Sequence, residues 1–530
     1  MSMKIPQGWA ISNLGSIATY INGRAFKPTE WETTGLPIIR IQNLNNPNAF
    51  YNYTNHQFEE KYKVKKGDLL FAWSASLGTY IWKNEDAWLN QHIFKVIPHK
   101  GINKSFLFYL LTHITNELYA KAHGSGMVHV TKRVFDANPI LLPPLKQQIR
   151  IIQKIEELFS EIDDGIESLE MAKEQLNVYR EAILIQAFEG KLTQEWRNAN
   201  IDILKNSHSL IESIHKSQES EFNNLFLIWK TKIKDWEKSE KTDRKIAKPA
   251  KPKAFEAITE EIKRKHSLPP YWALFRLGNL FSVSPQNGLY KAADQYNDYA
   301  TRIIRIDSFY DGKITEVDNL KRLNLTNDEL KTYQLNENDL IINRVNSIEY
   351  LGKCAFVSKL NVNEPTVFES NIMRCKLLQN VSPKYIAYYL SSIKGKDSLC
   401  LNAKHAVNQA SINQTDVGNA IIPLPNYLEQ IQIVELIEDN FEKIQTLEAE
   451  ISNNLVKLIK FKTSILAKAF SGELIPQDPN DEPASVLLER IKAEKEKELA
   501  KEKAKKAPKK LRKPKTQNTE KDKPAQQELI

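Results

Sequence analysis

"PPLKQQIRIIQKIEELFSEID", residues 143–163, has a close counterpart later in the chain in "PNYLEQIQIVELIEDNFEKIQ", residues 425–445. The correspondence continues without a gap to "AILIQAFEGKL" at 182–192 and "SILAKAFSGEL" at 464–474. A match of this length predicts that the chain contains two copies of one structural unit. The fold must therefore accommodate the same element twice.

Both copies have the apolar pattern of a long helix. Apolar residues recur at steps of three and four, which over this length is typical of a two-helix coiled coil, and the steps include Tyr179 and Leu447. Prolines precede each segment, and Gly190 and Gly472 stand where a helix would end. We expect one helix within 143–192 and one within 425–474, each on the order of 65 Å long. The residues expected to form the coiled coil and its partner-docking region are Ile155, Phe159, Ile162, Leu169, Ile437, Phe441, Ile444 and Ile451.

The segments upstream of the two helices, residues 1–142 and 268–424, are different in kind. They contain short β-rich runs such as "KGDLLFAWSAS" at 66–76, broken by Gly, Asn, Asp and Pro. The predicted fold class is α+β, with two globular domains joined by two long helices that form an antiparallel coiled coil, a pseudo-two-fold internal repeat. Residues 193–267 are predicted to be a polar helical insertion with a Lys/Pro linker. Residues 475–530 are predicted to be a basic, partly disordered tail, and both segments are interpreted as spacers or docking surfaces.

Composition favours a cytoplasmic protein that meets a polyanion. The 530 residues carry a net charge of +9, although much of the excess lies in the lysine-rich tail. No run of eighteen apolar residues is present, so no membrane span is expected. The three cysteines have no C-x-x-C spacing, which predicts neither a disulfide framework nor a zinc site.

One tripeptide suggests catalysis. "LPPYW" at 268–272 contains the Pro-Pro-Tyr of the catalytic loop of DNA amino-methyltransferases. In that loop the preceding residue is Asn, Asp or Ser, whereas here it is Leu268, and the aligned "IPQGW" at 5–9 lacks the tripeptide. Neither a phosphate-binding loop nor metal-type histidine spacing is evident. We therefore expect no catalytic centre, no metal site and no cofactor in this chain.

The order of these motifs resembles the DNA-specificity subunit of Type I restriction–modification systems. The resemblance rests on the I/L-P-x-x-W openings, the D-L-L/I strands at 68 and 339, and the "Q-I" helix starts at 148 and 430. It also includes the A-F-x-G-x-L endings at 187 and 469 and "DPNDEPASVLLERI" at 478–491.

The resemblance implies two target-recognition domains, each reading one half of a split site on double-stranded DNA. It further implies that the paired helices act as a ruler and dock two methyltransferase subunits, with restriction/translocase subunits joining through them. S-adenosylmethionine, ATP and Mg²⁺ are then expected on those partner subunits and not here. Because the two domains differ in sequence, the half-sites should differ, with about one DNA turn (about 34 Å) or a small multiple between them.

Candidate DNA contacts are the Arg, Lys, Asn and Gln residues of the domain loops, since these side chains read base edges. Arg40 and Arg305 match across the repeat, which suits a phosphate contact, because base readers should differ between domains with different targets. The full set of candidates is Arg40, Gln42, Asn43, Lys132, Arg133, Arg305, Asn343, Arg344, Lys404 and Asn408.

Two other interpretations remain open from the sequence. The first is a coiled-coil scaffold whose lateral domains bind protein and not DNA. The second is a modification enzyme that needs no partner. Salt-sensitive DNA binding separates the first from the DNA-binding interpretation, and methyl transfer by the chain alone would establish the second.

Overall fold

The structure is a computed structural model. It describes residues 5–46, 48–121, 131–206, 209–238, 247–249, 251, 257–297, 301–310, 312–314, 319–358, 364–407 and 409–506. The chain divides into two compact units, residues 1–168 with 454–530 (unit 1) and residues 169–453 (unit 2). Each unit contains one globular domain, the first half of the long helix that follows this domain, and the second half of the other long helix.

Two four-stranded sheets form the domain of unit 1. The first is antiparallel and has the order Ala18–Asn22, Ile93–Pro98, Leu69–Ala72, Gly78–Ile81. The second has the order Asn52–Thr54, Leu36–Ile39, Ala87–Leu89, Lys63–Val64, with a parallel pair at its centre. Strand Ala10–Asn13 pairs with Pro139–Leu142, just before the long helix. The helices are Leu14–Ile17, Ile41–Asn45, Lys104–Lys121 and Lys132–Asp136, with short 3-10 turns at Pro28–Glu30 and Glu60–Tyr62.

The domain of unit 2 repeats this architecture. Its antiparallel sheet has the order Gln286–Asn287, Ile372–Cys375, Leu340–Asn343, Cys354–Phe356. The other sheet has the order Tyr296–Asn297, Arg322–Leu323, Thr301–Ile304, Thr366–Phe368, again with one parallel pair. Strand Ala273–Arg276 pairs with Ile421–Leu424. Additional pairings are Phe309–Tyr310 with Lys313–Ile314, and a small sheet of Val345–Asn346, Gln409–Ser411 and Lys404–Ala406. The helices are Asn327–Tyr333, Pro383–Ser391, Ile393–Cys400 and Gln414–Asn419, with 3-10 turns at Leu277–Leu280 and Ala293–Gln295.

The two long helices have the predicted extents. They run over Leu145–Phe188 and Tyr427–Ser471, inside the expected ranges. Gly190 and Gly472 adopt positive φ angles of 70° and 83°, the left-handed conformation that ends a helix and that glycine adopts without a Cβ penalty. The predicted α+β class with a coiled-coil repeat is confirmed.

The same contact between the helices occurs once in each unit. In unit 1, Lys462 Nζ lies 5.0 Å from the ring centre of Phe159, and in unit 2 the Arg180 guanidinium lies 4.6 Å from that of Phe441. Phe159 and Phe441 are counterparts in the repeat, and so are Arg180 and Lys462. Leu458 lies opposite Gly165, and because residues further along the first helix meet residues earlier on the second, the pair is antiparallel.

Burial along the helices follows the predicted seam at most positions and departs from it at two. Ile155, Ile437, Phe441 and Ile444 are buried, and Phe159, Ile162, Leu169 and Ile451 are partly buried. Tyr179 and Leu447 also belong to the periodic pattern, yet they are 53% and 46% exposed, so their expected burial was wrong. The physical reason is that two helices cover only one narrow stripe of each other, and residues at the margin of the stripe remain in water.

The insertion and the tail both contribute helices that pack on their units. The insertion forms Gln194–Ala199, Ile201–Asn206, Leu210–Lys238 and Glu260–Lys265, and the tail forms Ala484–Lys506. The tail helix reaches the start of the first domain, where Lys495 Nζ donates to the Gly15 carbonyl at 2.8 Å. The Leu210–Lys238 helix reaches the counterpart position in unit 2, where Gln218 Nε2 donates to the Asn279 carbonyl at 2.7 Å. Both segments therefore pack against the domain of their own unit.

Candidate nucleic-acid interface

Three chain segments of the unit 2 domain meet at one edge. Arg305 follows strand Thr301–Ile304, Arg344 follows strand Leu340–Asn343, and the turn 369–371 follows strand Thr366–Phe368. Arg305 Nε lies 3.4 Å from Glu369 Oε2, and Arg344 Nη1 donates to the Ser370 carbonyl at 3.3 Å. The turn therefore lies between the two predicted arginines and brings them to one edge.

A small three-stranded sheet extends the same edge. Its first strand, Val345–Asn346, starts directly after Arg344, and the Arg344 carbonyl accepts a hydrogen bond from Ile412 N at 2.9 Å. The outer strand, Lys404–Ala406, is exposed at every residue. Arg344 and Lys404, far apart in sequence, thus belong to one surface. Asn408 lies outside the described residues.

The edge of the unit 1 domain has the same pattern of backbone hydrogen bonds. Asn90 N donates to the Ile39 carbonyl at 3.1 Å, just as Glu369 N donates to the Ile304 carbonyl at 3.0 Å. Arg40 follows its strand as Arg305 does, with its guanidinium 5.8 Å from the ring centre of Trp31. Gln42 is exposed beside it.

At the position of Arg344 the unit 1 domain has an aromatic residue, Trp73. Trp73 N donates to the His92 carbonyl at 3.2 Å, and Arg344 N donates to the Asn371 carbonyl at 2.8 Å. The Trp73 indole stacks on Phe94 with ring centres 5.7 Å apart. Equivalent backbone positions therefore carry different side-chain chemistry in the two domains.

The other two candidates of unit 1 lie nearby on helix Lys132–Asp136. Lys132 Nζ lies 5.9 Å from the ring centre of Phe94, the ring on which Trp73 stacks, and forms an ion pair with Asp136 at 2.6 Å. Arg133 is exposed. The glycine-rich turn 124–126 that precedes this helix lies outside the described residues.

Two predicted asparagines have internal roles. Asn43 is buried, accepts a hydrogen bond from Arg40 N at 3.0 Å and donates to the Phe50 carbonyl at 3.1 Å. Asn343 is fully buried, donates to the Tyr350 carbonyl at 3.2 Å and accepts from Val345 N at 3.4 Å. Since these side-chain groups already hold the loops of the interface, we do not retain either residue as a DNA contact.

Sequence reasoning missed the two turns at the centre of the edges, 90–92 and 369–371, and also Trp73. A signal was present in the repeated Asn-Gly at 22–23 and 287–288. A Cβ on Gly23 would lie 2.0 Å from the Asn90 carbonyl oxygen, and one on Gly288 would lie 2.3 Å from that of Glu369. Only glycine permits these backbone crossings, which fix each turn in place.

The two edges contain buried polar groups. Burial raises the pKa of Glu369, although the hydrogen bond from Ile306 N and the charge of Arg305 oppose this shift. His92 Nδ1 and Arg344 Nε are buried atoms without a hydrogen-bond partner among the described residues. Such atoms are uncommon in folded proteins.

The Pro-Pro-Tyr segment belongs to the base of the unit 2 domain and not to its loop edge. Pro269 packs against Gly190, and Trp272 Nε1 donates to Glu429 Oε2 at 3.0 Å. The counterpart Trp9 Nε1 donates to Gln147 Oε1 at 3.0 Å. The I/L-P-x-x-W opening of each domain, here called the Trp frame, therefore fastens the domain to its long helix.

The part of the chain that the structure describes contains neither a metal-binding cluster nor a membrane-spanning helix. The described residues contain no group of three or more His, Cys, Asp or Glu side chains placed to hold a metal ion. Within those same residues, none of the helices combines the length and the apolar character needed to cross a membrane.

Comparisons with known proteins agree with this geometry. A family model described as the Type I restriction modification DNA specificity domain matches residues 6–173 and 269–457. The EcoKI specificity subunit of Escherichia coli K12 is 25% identical over 522 residues, which cover 93% of this chain and 96% of that protein. The EcoBI specificity subunit of Escherichia coli is 25% identical over 507 residues and 93% of each chain. A solved chain of a type I restriction–modification system, studied for complex assembly and conformational transition, shares the fold with a TM-score of 0.58 at 17% identity, over 89% of this chain and 100% of that chain.

Proposed function

This chain belongs to the Type I restriction modification DNA specificity family, and we propose that it is the non-catalytic subunit that reads an asymmetric, two-part site on double-stranded DNA. One observation carries the proposal. The edges of the two domains have the same pattern of backbone hydrogen bonds. Arg40 and Arg305 occupy equivalent positions in the repeat, whereas the position of Arg344 in unit 2 is occupied by Trp73 in unit 1. A matching cation suits the phosphate backbone, which is the same in every sequence, and differing neighbours suit different bases.

The long helices offer two counterpart surfaces for a partner. Tyr179 and Phe461 are counterparts in the repeat and are 53% and 56% exposed, and the counterparts Leu145 and Tyr427 are 41% and 43% exposed. Repeated apolar side chains left in water at equivalent positions are typical of a surface that a partner covers. We assign these positions to two methyltransferase subunits, through which restriction/translocase subunits join the complex.

The chemistry then belongs to those partners. S-adenosylmethionine is expected on the methyltransferase subunits, and ATP and Mg²⁺ are expected on the translocase. In this chain the Pro-Pro-Tyr segment contributes to packing through Pro269 and Trp272. Methyl transfer by the purified chain in the absence of a methyltransferase subunit would contradict this assignment.

Methylome mapping tests DNA reading directly. Cells that express the methyltransferase subunit with and without this chain should differ at one asymmetric two-part site, which is methylated only when the chain is present. In binding measurements on the purified complex, affinity for duplex DNA should fall steeply as salt rises, because phosphate contacts release counterions. Salt-insensitive binding would favour a scaffold whose domains contact protein.

Partner stoichiometry tests the docking surfaces. Tyr179→Asp and Phe461→Asp should each reduce the number of bound methyltransferase subunits from two to one, because a charge at the centre of an apolar contact is costly. The double variant should bind none. Val456→Asp is the matched control, since Val456 is exposed on the same helix as Phe461 but has Glu174 as its counterpart. Mass photometry measures the stoichiometry, and two bound subunits in every variant would contradict the assignment.

A further inference from the structure

The small sheet at the edge of the unit 2 domain ends in an aliphatic side chain surrounded by water. Val407 follows the strand Lys404–Ala406 and is 92% exposed, and Leu401, just before this strand, is 79% exposed. Scattered single apolar residues are common on protein surfaces, so exposure alone assigns no role. The position of Val407 is what makes it informative.

The hairpin that carries Val407 is anchored at its base. Strand Gln409–Ser411 pairs on one side with Lys404–Ala406 and on the other with Val345–Asn346. Ala410 is buried, and Ile412 N donates to the Arg344 carbonyl at 2.9 Å. Because Arg344 also holds the turn 369–371 through Ser370, the hairpin has a fixed connection to the edge that carries both arginines.

We propose that this hairpin enters a groove of the duplex and that Val407 acts as an apolar wedge against a base step in the half-site that unit 2 reads. This inference rests on the proposed DNA-binding function. Aliphatic side chains placed in a groove partly unstack a base step and kink the duplex, at a cost of about a few kcal/mol per step that wider contact offsets.

The charge of the segment selects DNA over protein as the occupant. Residues 401–411, "LNAKHAVNQAS", contain Lys404 and His405 and no acidic residue. Lys404 pairs with Ser411, and Arg344 directly precedes Val345, which pairs with Ser411 from the other side, so both cations lie at the base of the hairpin, away from Val407. A phosphate backbone beside a groove is complementary to cations at the base of a hairpin that enters the groove.

The first domain has different chemistry at the corresponding place in its sequence. Val407 precedes by six residues Asn413, which caps helix Gln414–Asn419. Thr131 holds the N-cap position of the counterpart helix Lys132–Asp136, and six residues before it is Ser125, between Gly124 and Gly126. Those residues lie outside the described ones, and the aligned residue itself is not aliphatic, so the wedge is proposed for the half-site of unit 2 alone.

The test uses the complex of this chain with its methyltransferase subunits and a duplex containing the mapped site, labelled at both ends with a fluorescent donor and acceptor. The wild-type complex should bend the duplex and raise energy transfer. Val407→Ala should lose most of this bend and bind about tenfold more weakly, as expected for the loss of an insertion contact. Val407→Ile should retain both properties, and Val283→Ala, at an exposed valine of the same domain, should behave as wild type.

The salt dependence separates the wedge from a phosphate contact. Val407→Ala should leave the slope of log K against log salt unchanged, because no ion pair is lost. Lys404→Ala should reduce the slope by about one and weaken binding to all sequences alike.

Several outcomes overturn the wedge while leaving the proposed function intact. One is a Val407→Ala complex that binds and bends DNA as wild type does, and another is a wild-type complex that binds the site without bending it. Loss of methyltransferase subunits from the Val407→Ala complex would assign the residue to a protein interface. A wild-type complex with no preference for the mapped site would instead refute the proposed function itself.

Discussion

At the residue scale, an ion pair near the start of each long helix fastens the segment that follows the other long helix, and the charges are reversed between the two units. In unit 1 the cation is on the helix, where Arg150 pairs with Asp481 of the segment after the other helix. In unit 2 the anion is on the helix, where Glu429 pairs with Arg197 of the insertion. Glu429 also accepts hydrogen bonds from Trp272 and Thr193 and is fully buried. The two post-helix segments are therefore held by different side-chain chemistry.

The buried pair gives a stability prediction. Arg197→Met should lower the free energy of unfolding by about 3 kcal/mol, because it leaves the Glu429 carboxylate buried without its cation. The double variant Arg197→Met/Glu429→Gln should recover most of this lost stability. In unit 1 a glutamine, Gln147, already accepts the equivalent hydrogen bond from the Trp9 indole. Urea denaturation measures both. Lys263→Met, in an exposed pair with Glu260, is the control and should change stability by about 0.5 kcal/mol or less. Equal losses in the single and double variants would contradict the argument.

A second prediction at this scale concerns pH. The Arg24 guanidinium, with the Lys27 amide, lowers the pKa of Glu30 from 4.5 to about 2. The folded protein therefore holds this carboxylate ionised more easily than the unfolded chain does. The contribution of the ionised Glu30 carboxylate to folding stability is fully present above pH 4.5 and is lost as the pH falls toward 2. The melting temperature of Glu30→Gln should lie below that of wild type at neutral pH, and the difference should narrow below pH 4.5. A difference independent of pH would show that Arg24 does not set this pKa.

At the element scale, the coiled coil is unequal along its length. Near the domains the seam is buried against the domain cores, as at Ile155 and Ile444, whereas Ile162, Leu169 and Ile451 are only partly buried. Two paired helices cover only a narrow stripe of each other, so residues at the margins of the stripe face water. The periodic pattern gave the helix and its apolar face but not the depth of burial at each position.

Ile444 and Ile162 give the corresponding prediction. Ile444→Asp should destabilise the protein by about 4 kcal/mol, because Ile444 is 1% exposed and the new charge has no partner in the core. Ile162→Asp should cost clearly less, since water already reaches this residue. Val456→Asp, at a residue 50% exposed, is the control for the charge itself. Denaturation midpoints measure the order in which the three substitutions destabilise the protein. An equal loss of stability in all three variants would contradict the assigned seam.

At the scale of the whole molecule, the chain is an internal repeat whose long helices each begin in one unit and end in the other. Both domains open with the same Trp frame and end in the same strand pair, Ala10–Asn13 with Pro139–Leu142 and Ala273–Arg276 with Ile421–Leu424. Each domain thus meets its long helix through the same elements, and we expect the two domains to be exchangeable.

This equivalence predicts the outcome of a domain exchange. A chain in which residues 5–142 also replace residues 268–424 should direct methylation to a symmetric two-part site whose halves both equal the first half of the original site. The reciprocal chain should yield the symmetric site of the second half. Methylome mapping reads both results. An unchanged second half-site in the first chimaera would contradict the modular assignment.

The repeat, the two long helices and the fold class follow from the amino-acid sequence alone. A helical period sustained over some forty-five residues, with proline before it and glycine after it, is a local property that needs no tertiary information. Residue types selected Arg305, Arg344 and Lys404 as candidate DNA contacts, and these contacts remain a prediction. The folded chain was needed to show that Asn43 and Asn343 lie inside while Trp73 and the turns 90–92 and 369–371 form the edges. The reason is that burial and spatial neighbours depend on strands that pair across long stretches of chain. The sequence of a loop does not distinguish a polar residue that faces water from one that supports the loop from within.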